Sequence, residues 1–115
     1  MRLRSDFWIA ALRRRAEAAG AYVAVARRGA AEAGAIFISV DSKTGLFDLY
    51  GPAPQSMFGD ADAIQDRLFS RLLDQADATA LAKRLDQEVR FDADLWLIDI
   101  EDRDGRPFVD LAPAG

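Results

Sequence analysis

The sequence predicts an α+β fold: a mostly antiparallel sheet of four or five strands packed by two helices, in the order α-β-β-β-β-α-β. Three observations carry that expectation. The chain opens on an amphipathic stretch with helix signals at both ends. Residues 35–41 and 94–102 alternate with the period of a strand, and Leu81, Leu85 and Val89 recur every four residues as on a helix.

Ser5 is a plausible N-cap, Asp6 a favourable acid in the first turn and Gly20 a stop, so a helix is expected from about Asp6 to Ala19. Trp8, Leu12, Ala16 and Ala19 form one stripe, flanked by Phe7, Ile9 and Ala11, while Arg13, Arg14 and Glu17 fall opposite. Arg15 sits beside the apolar stripe, where it must either snorkel past the core edge or meet an acidic partner.

Ala21 to Arg28 reads as a strand, with Tyr22, Ala24 and Ala26 set against Val23 and Val25. A polar connection from Gly29 to Gly34 leads into Ala35 to Asp41, a half-buried strand with Ile36, Ile38 and Val40 on one face and Phe37, Ser39 and Asp41 on the other. The turn Ser42 to Gly45 joins it to Leu46 to Tyr50 as an antiparallel hairpin, which Gly51, Pro52, Ala53 and Pro54 end. Gln55 to Asp66 has no sustained period and reads as a surface loop.

Arg67 to Leu73 fits a short helical face or a strand, and a strand is the expectation. Asp77 caps a second helix over Ala78 to Phe91, whose narrow stripe suits a sheet surface. Asp94 to Asp102 is the most hydrophobic strand, with Trp96, Ile98 and Ile100 opposite Leu95 and Leu97, and belongs inside the sheet. After the turn signal Asp104-Gly105, Pro107 to Leu111 can add a short edge strand. Both helices are expected to cover one face of the sheet. One domain over 1–115 is expected, with 1–4 and 112–115 as loose ends.

Half of the residues are hydrophobic, 10% aromatic and 30% charged, a balance that folds without a partner. There is no cysteine and no histidine, which removes disulfides, thiolate and imidazole nucleophiles and nearly every zinc or iron-sulfur site. The run Phe7 to Leu12 is too short for a signal peptide core and no apolar stretch is long enough to span a bilayer, so a cytoplasmic location is expected. Within the net charge of −4, residues 1–30 hold seven arginines against Asp6 and Glu17, a balance of +5. The remaining eight basic and seventeen acidic side chains balance at −9.

The segments MRLRSDFWIAALRRR, GAIFISV, LYGPAPQS and RFDADLWLIDIED together resemble the bacterial family called domain of unknown function 1491, typical of alphaproteobacteria. The resemblance covers nearly the whole chain. It implies a single cytoplasmic bacterial domain, and it brings no assigned activity, cofactor or catalytic residue.

Four chemistries compete for the surface. Arg2, Arg4, Arg13, Arg14, Arg27 and Arg28 beside Trp8 or Tyr22 could form a basic patch for nucleic acid. The order helix, three strands, helix is also that of the double-stranded RNA-binding domain, but that family uses lysines at the start of its second helix, where this chain has Asp74 and Asp77. An anionic membrane surface could attract the first helix, although a domain of this size needs that helix to cover its sheet. Asp60, Asp62 and Asp66 fail the calcium-loop pattern, which wants a glycine and a glutamate where Gln65 and Arg71 stand. Asp92, Asp94, Asp99 and Glu101 could include facing carboxylates, though acids beside a strand usually meet water or arginine.

The glycines assemble no dinucleotide or phosphate loop, and no cofactor or metal is expected. Gly51 to Pro54 is either a rigid strand exit or a frame that presents Tyr50, Gln55 and Phe58. The expected function is therefore a small non-enzymatic protein-interaction or adaptor module, with another protein as partner. Its candidate surface is Arg13, Arg14, Arg27, Arg28, Tyr50, Gln55 and Phe58, and RNA or other nucleic-acid binding through the arginines is the alternative.

Overall fold

The computed structural model describes residues 3–54 and 67–113. Its elements are α1 (Ser5–Ala18), β1 (Tyr22–Arg27), β2 (Ile36–Asp41), β3 (Phe47–Pro52), β4 (Leu68–Ala76), α2 (Ala78–Phe91), β5 (Trp96–Glu101) and β6 (Asp110–Leu111). The α+β class is as the sequence predicts. Six strands form one sheet in the order β1-β5-β2-β3-β4-β6. The sheet is mixed rather than mostly antiparallel: β1–β5, β2–β3 and β3–β4 are antiparallel, while β2–β5 and β4–β6 are parallel.

The parallel pair follows from connectivity. After β4 the chain crosses the sheet through α2 and returns as β5 between β1 and β2, as a parallel return requires. The Ala35–Asp41 and Leu46–Tyr50 segments do form the expected hairpin, in register Ile38↔Tyr50 to Asp41↔Phe47, with Lys43 and Gly45 at positive φ in its turn.

The two helices take opposite faces, which corrects the one-face expectation. Ile36, Ile38 and Val40 of β2, Trp96, Ile98 and Ile100 of β5 and Val23 of β1 pack with Ile9, Leu12 and Ala16 of α1. Phe37, Leu49 and Leu95 form a second, smaller cluster under Leu81, Leu85 and Val89 of α2. The reason is the pleat. Apolar residues at consecutive positions of β2 point to both sides, so a single helical layer would leave Phe37 and Leu49 in water.

On α1 the buried stripe is Ser5, Ile9, Leu12 and Ala16, with Trp8 at its margin; Phe7 and Ala19 are exposed. The stripe thus keeps Leu12 and Ala16 of the expected one and takes Ser5 and Ile9 in place of Trp8 and Ala19. Ser5 is no cap: it lies in the first turn, fully buried, and its hydroxyl donates to the Gly34 carbonyl at 2.7 Å while accepting from Arg67 Nη2 at 3.1 Å. Asp77 does cap α2, accepting from the Ala80 N–H at 2.8 Å.

The Arg67–Leu73 segment is a strand and runs on to Ala76. Its extension contains an irregularity at which Gln75 adopts φ 53°. The buried Asp48 carboxylate takes up the kink by accepting from Gln75 N at 2.8 Å and Nε2 at 3.0 Å. The β1–β2 connection lies against β5, where a Cβ on Gly29 would stand 2.3 Å from the Asp94 carbonyl oxygen. There Ala30 donates to Asp94 and its carbonyl accepts the Trp96 indole N–H at 2.8 Å.

Beyond β5 the chain turns at Gly105 and crosses the α1 side to reach the far edge as β6. Two arginines fasten this strap. Arg106 bonds the buried Asp102 carboxylate through Nε at 2.9 Å and Nη2 at 2.8 Å, and Arg15 donates to the Phe108 carbonyl at 3.1 Å. Arg106 holds the Asp102 carboxyl below its ordinary value by those hydrogen bonds, which outweigh the opposing effect of burial.

Candidate functional site

The arginines that the sequence singles out do not converge. Arg13 is exposed on α1 and pairs with Glu17 at 3.3 Å, one turn away. Arg14 is exposed beside it and makes no ion pair among the described residues. Arg27 reaches the Ala93 carbonyl at 2.9 Å, and its buried Nε has no hydrogen-bond partner among the described residues. The Arg28 guanidinium lies over the Trp96 ring, 5.2 Å from its centre.

Arg15 meets the Phe108 carbonyl rather than an acid, and Arg71 and Arg106 stack on Tyr50 and Phe108. Arg15, Arg27 and Arg28 of the N-terminal segment are therefore each engaged by a carbonyl or a ring, with Arg15 and Arg28 still exposed. Tyr50 is 1% exposed and belongs to the α1-side core, so it presents no contact surface, in contrast to the expectation. Gln55 and Phe58, like Asp60, Asp62 and Asp66, lie outside the described residues.

A different surface emerges on the α2 side of the sheet. Cross-strand register there defines two rows. One runs Ala24 (β1), Asp99 (β5), Ser39 (β2) and Leu49 (β3); the next runs Tyr22, Glu101, Asp41 and Phe47. Tyr22 apart, the side chains of both rows are small or acidic over β1, β5 and β2 and apolar over β3. Helix α2, with no fully buried residue, rests on the apolar half and leaves the acidic half open.

The result is a groove of about 380 Å³. Ala78, Leu81, Ala82 and Leu85 of α2 form one wall, Tyr22 and Ala24 the other, and Ser39, Asp99, Asp41 and Glu101 the floor. Ser39 donates to Asp99 at 2.6 Å, and Asp41 accepts from the Lys43 N–H at 2.7 Å. The Lys43 ammonium, bonded to Glu101 at 2.6 Å, is held in its charged form more firmly than an ordinary lysine by that contact. Lys43 forms its ion pair with Glu101 and also feels the charge of Asp41, whereas among the described residues no basic side chain pairs with Asp99, so the floor keeps negative charge there.

Those side chains set the chemistry of the groove. It offers acceptors and apolar walls; serine and carboxylates form its polar floor, with no activating imidazole in the chain. Sequence reasoning missed it. The signal was present as Ser39 and Asp41 on one strand and Asp99 and Glu101 on another, polar positions within otherwise apolar runs. Only the parallel β2–β5 pairing brings them to one level, and no local pattern announces that pairing.

Two further concavities, one of about 480 Å³ and one of about 290 Å³, are lined by engaged groups. One gathers Lys43, Glu101, Asp102 and Arg106. The other is set among Trp8, Arg15, Arg67 and Phe108, where Arg67 bonds the Leu3 carbonyl at 3.0 Å as well as Ser5. No helix among the described residues is long and apolar enough to cross a membrane.

Comparison with known proteins places the chain in context. The model of the family described as "Protein of unknown function (DUF1491)" matches residues 3–110. The solution structure of a protein from A. tumefaciens is 40% identical, with a TM-score of 0.84 over 100% of this chain and 98% of that one. A crystal structure of a DUF1491 family protein from Caulobacter crescentus is 34% identical, with a TM-score of 0.79 over 99% and 100% of the two chains. An NMR structure of a DUF1491 family protein from the same organism is 35% identical, with a TM-score of 0.77 over 99% of each chain. No match is found among curated proteins.

Proposed function

The chain belongs to the DUF1491 family, and on that premise we propose that it is a non-enzymatic protein-interaction module whose docking surface is the groove between α2 and the open half of the sheet. The observation that carries this reading is the half-covered face: α2 shields the apolar part over β3 and β4 and stops short of the acidic part over β5 and β2. A helix that served packing alone would seat its stripe centrally. Instead Leu81 and Leu85 are left half-buried, one flank in the core and the other in the groove. Nucleic acid is disfavoured by the same charges, because a phosphate backbone is repelled by Asp41, Asp99 and Glu101 and the arginines are dispersed.

A photoreactive phenylalanine analogue in place of Tyr22, on the groove wall, is expected to give a discrete protein adduct in the cells that make the protein. The same analogue in place of Arg14, on the outer side of α1, is expected to give none. Adducts only from position 14, or RNA adducts in place of protein, overturn the reading. A fluorescence titration with short RNA at low and at physiological salt supplies the parallel check, with no binding expected at either.

A further inference from the structure

We infer that β1 is an acceptor edge for a strand of a partner protein that carries lysine or arginine at alternate positions on its groove side. The inference rests on the groove being a docking surface and specifies what docks there. Three features support it.

The first is an open edge. β1 pairs only with β5, and among the described residues the outer side of Tyr22–Arg27 has no backbone partner. Natural sheets blunt such edges with charge, proline, brevity or cover. The opposite edge follows that rule: β6 is two residues long, begins at Asp110 and is followed by Pro113. β1 presents Tyr-Val-Ala-Val-Ala before its first charge, with Tyr22 and Val25 exposed and its one irregularity confined to the Val25–Arg27 end, which leaves Tyr22–Val25 in regular register.

The second is continuity. Tyr22 and Ala24, whose side chains wall the groove, belong to the strand whose backbone is open. A strand added to β1 directs alternate side chains onto the groove face.

The third is charge. Neighbouring strands lie about 4.8 Å apart, so an added strand would lie about 10 Å from β5. Between them stands Ala24, directly opposite Asp99, and its methyl leaves the space above it open. A lysine or arginine stem can lie across that methyl and bring its charge to Asp99, whose partner among the described residues is the Ser39 hydroxyl. The tyrosine row offers Asp41 in the same way. A second copy of this chain does not fit, because its β1 would contribute Tyr22 and Ala24 to the groove face while its Arg27 and Arg28 are held by Ala93 and Trp96.

The test uses the full chain and three synthetic probes: a fluorescent peptide of alternating lysine and valine, its glutamate-valine counterpart, and a lysine-valine peptide N-methylated at alternate backbone nitrogens so that it cannot extend a sheet. The lysine-valine peptide is expected to bind at least about tenfold more tightly than either other, and to protect amides of residues 22–26 from hydrogen exchange. Asp99→Asn, nearly isosteric, and Ala24→Arg, which supplies its own cation and fills the gap, should each weaken it by at least about tenfold, with unchanged circular dichroism. Equal binding of the lysine and glutamate peptides, or of the N-methylated peptide, overturns strand addition, and so does failure of all three. In each case the Tyr22 adduct still decides separately whether the groove docks a protein.

Discussion

Replacing Ser5 separates two roles that predict opposite orders for the same pair of variants. A serine that merely caps a helix loses about 1 kcal/mol on change to alanine and only a few tenths on change to glycine. Ser5 instead bridges Gly34 and Arg67 at zero exposure. Deleting its hydroxyl removes a neutral bond worth about 1 kcal/mol and one to a charged donor worth about 2 kcal/mol. Alanine recovers about 0.5 kcal/mol through helix propensity, so Ser5→Ala should cost about 2.5 kcal/mol, whereas Ser5→Gly adds a flexible residue and should cost about 3.5 kcal/mol. Urea unfolding followed by tryptophan fluorescence measures both, and thermal unfolding should place Ser5→Ala about 10 °C below the parent. A glycine variant more stable than the alanine variant, or an alanine variant within about 0.5 kcal/mol of the parent, refutes the bridging role.

Other perturbations follow from contacts on the same frame. Gly29→Ala drives a methyl into the Asp94 carbonyl oxygen at 2.3 Å and should cost about 3 kcal/mol by pushing the loop off β5, with loss of the Trp96 indole bond visible as a shifted emission maximum. Asp77→Ala removes the bond to the Ala80 N–H and should cost about 1 kcal/mol in urea unfolding. Asp102 titrates below its ordinary value when folded, so its ion pair with Arg106 stabilises fully above the unfolded-chain value near 4 and is lost as pH falls through the lower folded value. The stability gap between the parent and Asp102→Asn should therefore be constant above about pH 5 and close below about pH 4, and a gap that widens on acidification contradicts the pairing.

What could be read from the residues alone was local. The strand through Ile36–Val40, the four-residue spacing of Leu81, Leu85 and Val89, the Asp77 cap and the 35–50 hairpin each depend on neighbours in sequence, and each is found in the structure, although that strand is buried on both faces rather than half-buried. What escaped was relational. That Ser5 bonds Gly34 and Arg67 rather than its own first turn depends on a backbone carbonyl 29 positions away and a side chain 62 positions away. That the helices split between two faces depends on Phe37 and Leu49 needing a cover of their own. The groove suffers most, since Asp99 and Ser39 are adjacent only because β5 runs parallel to β2. Composition exposed the N-terminal arginines and hid their use: Arg15, Arg27 and Arg28 are committed to a carbonyl or a ring that no charge count reveals.

The insertion of β5 between β1 and β2 also sets a timetable for the molecule's birth. Two consecutive strands leave the ribosome with an empty lane between them, and the segment that fills it is made some sixty residues after β2. Until Trp96–Glu101 arrives, β1 has no strand to bond to, and the apolar sides of Val23, Ile36 and Ile38 have no completed sheet in which to hide. Folding therefore waits for nearly the whole chain and is slow by topology. A nascent chain stalled before residue 96 would expose those strands, which makes it a client for a chaperone rather than a half-built domain.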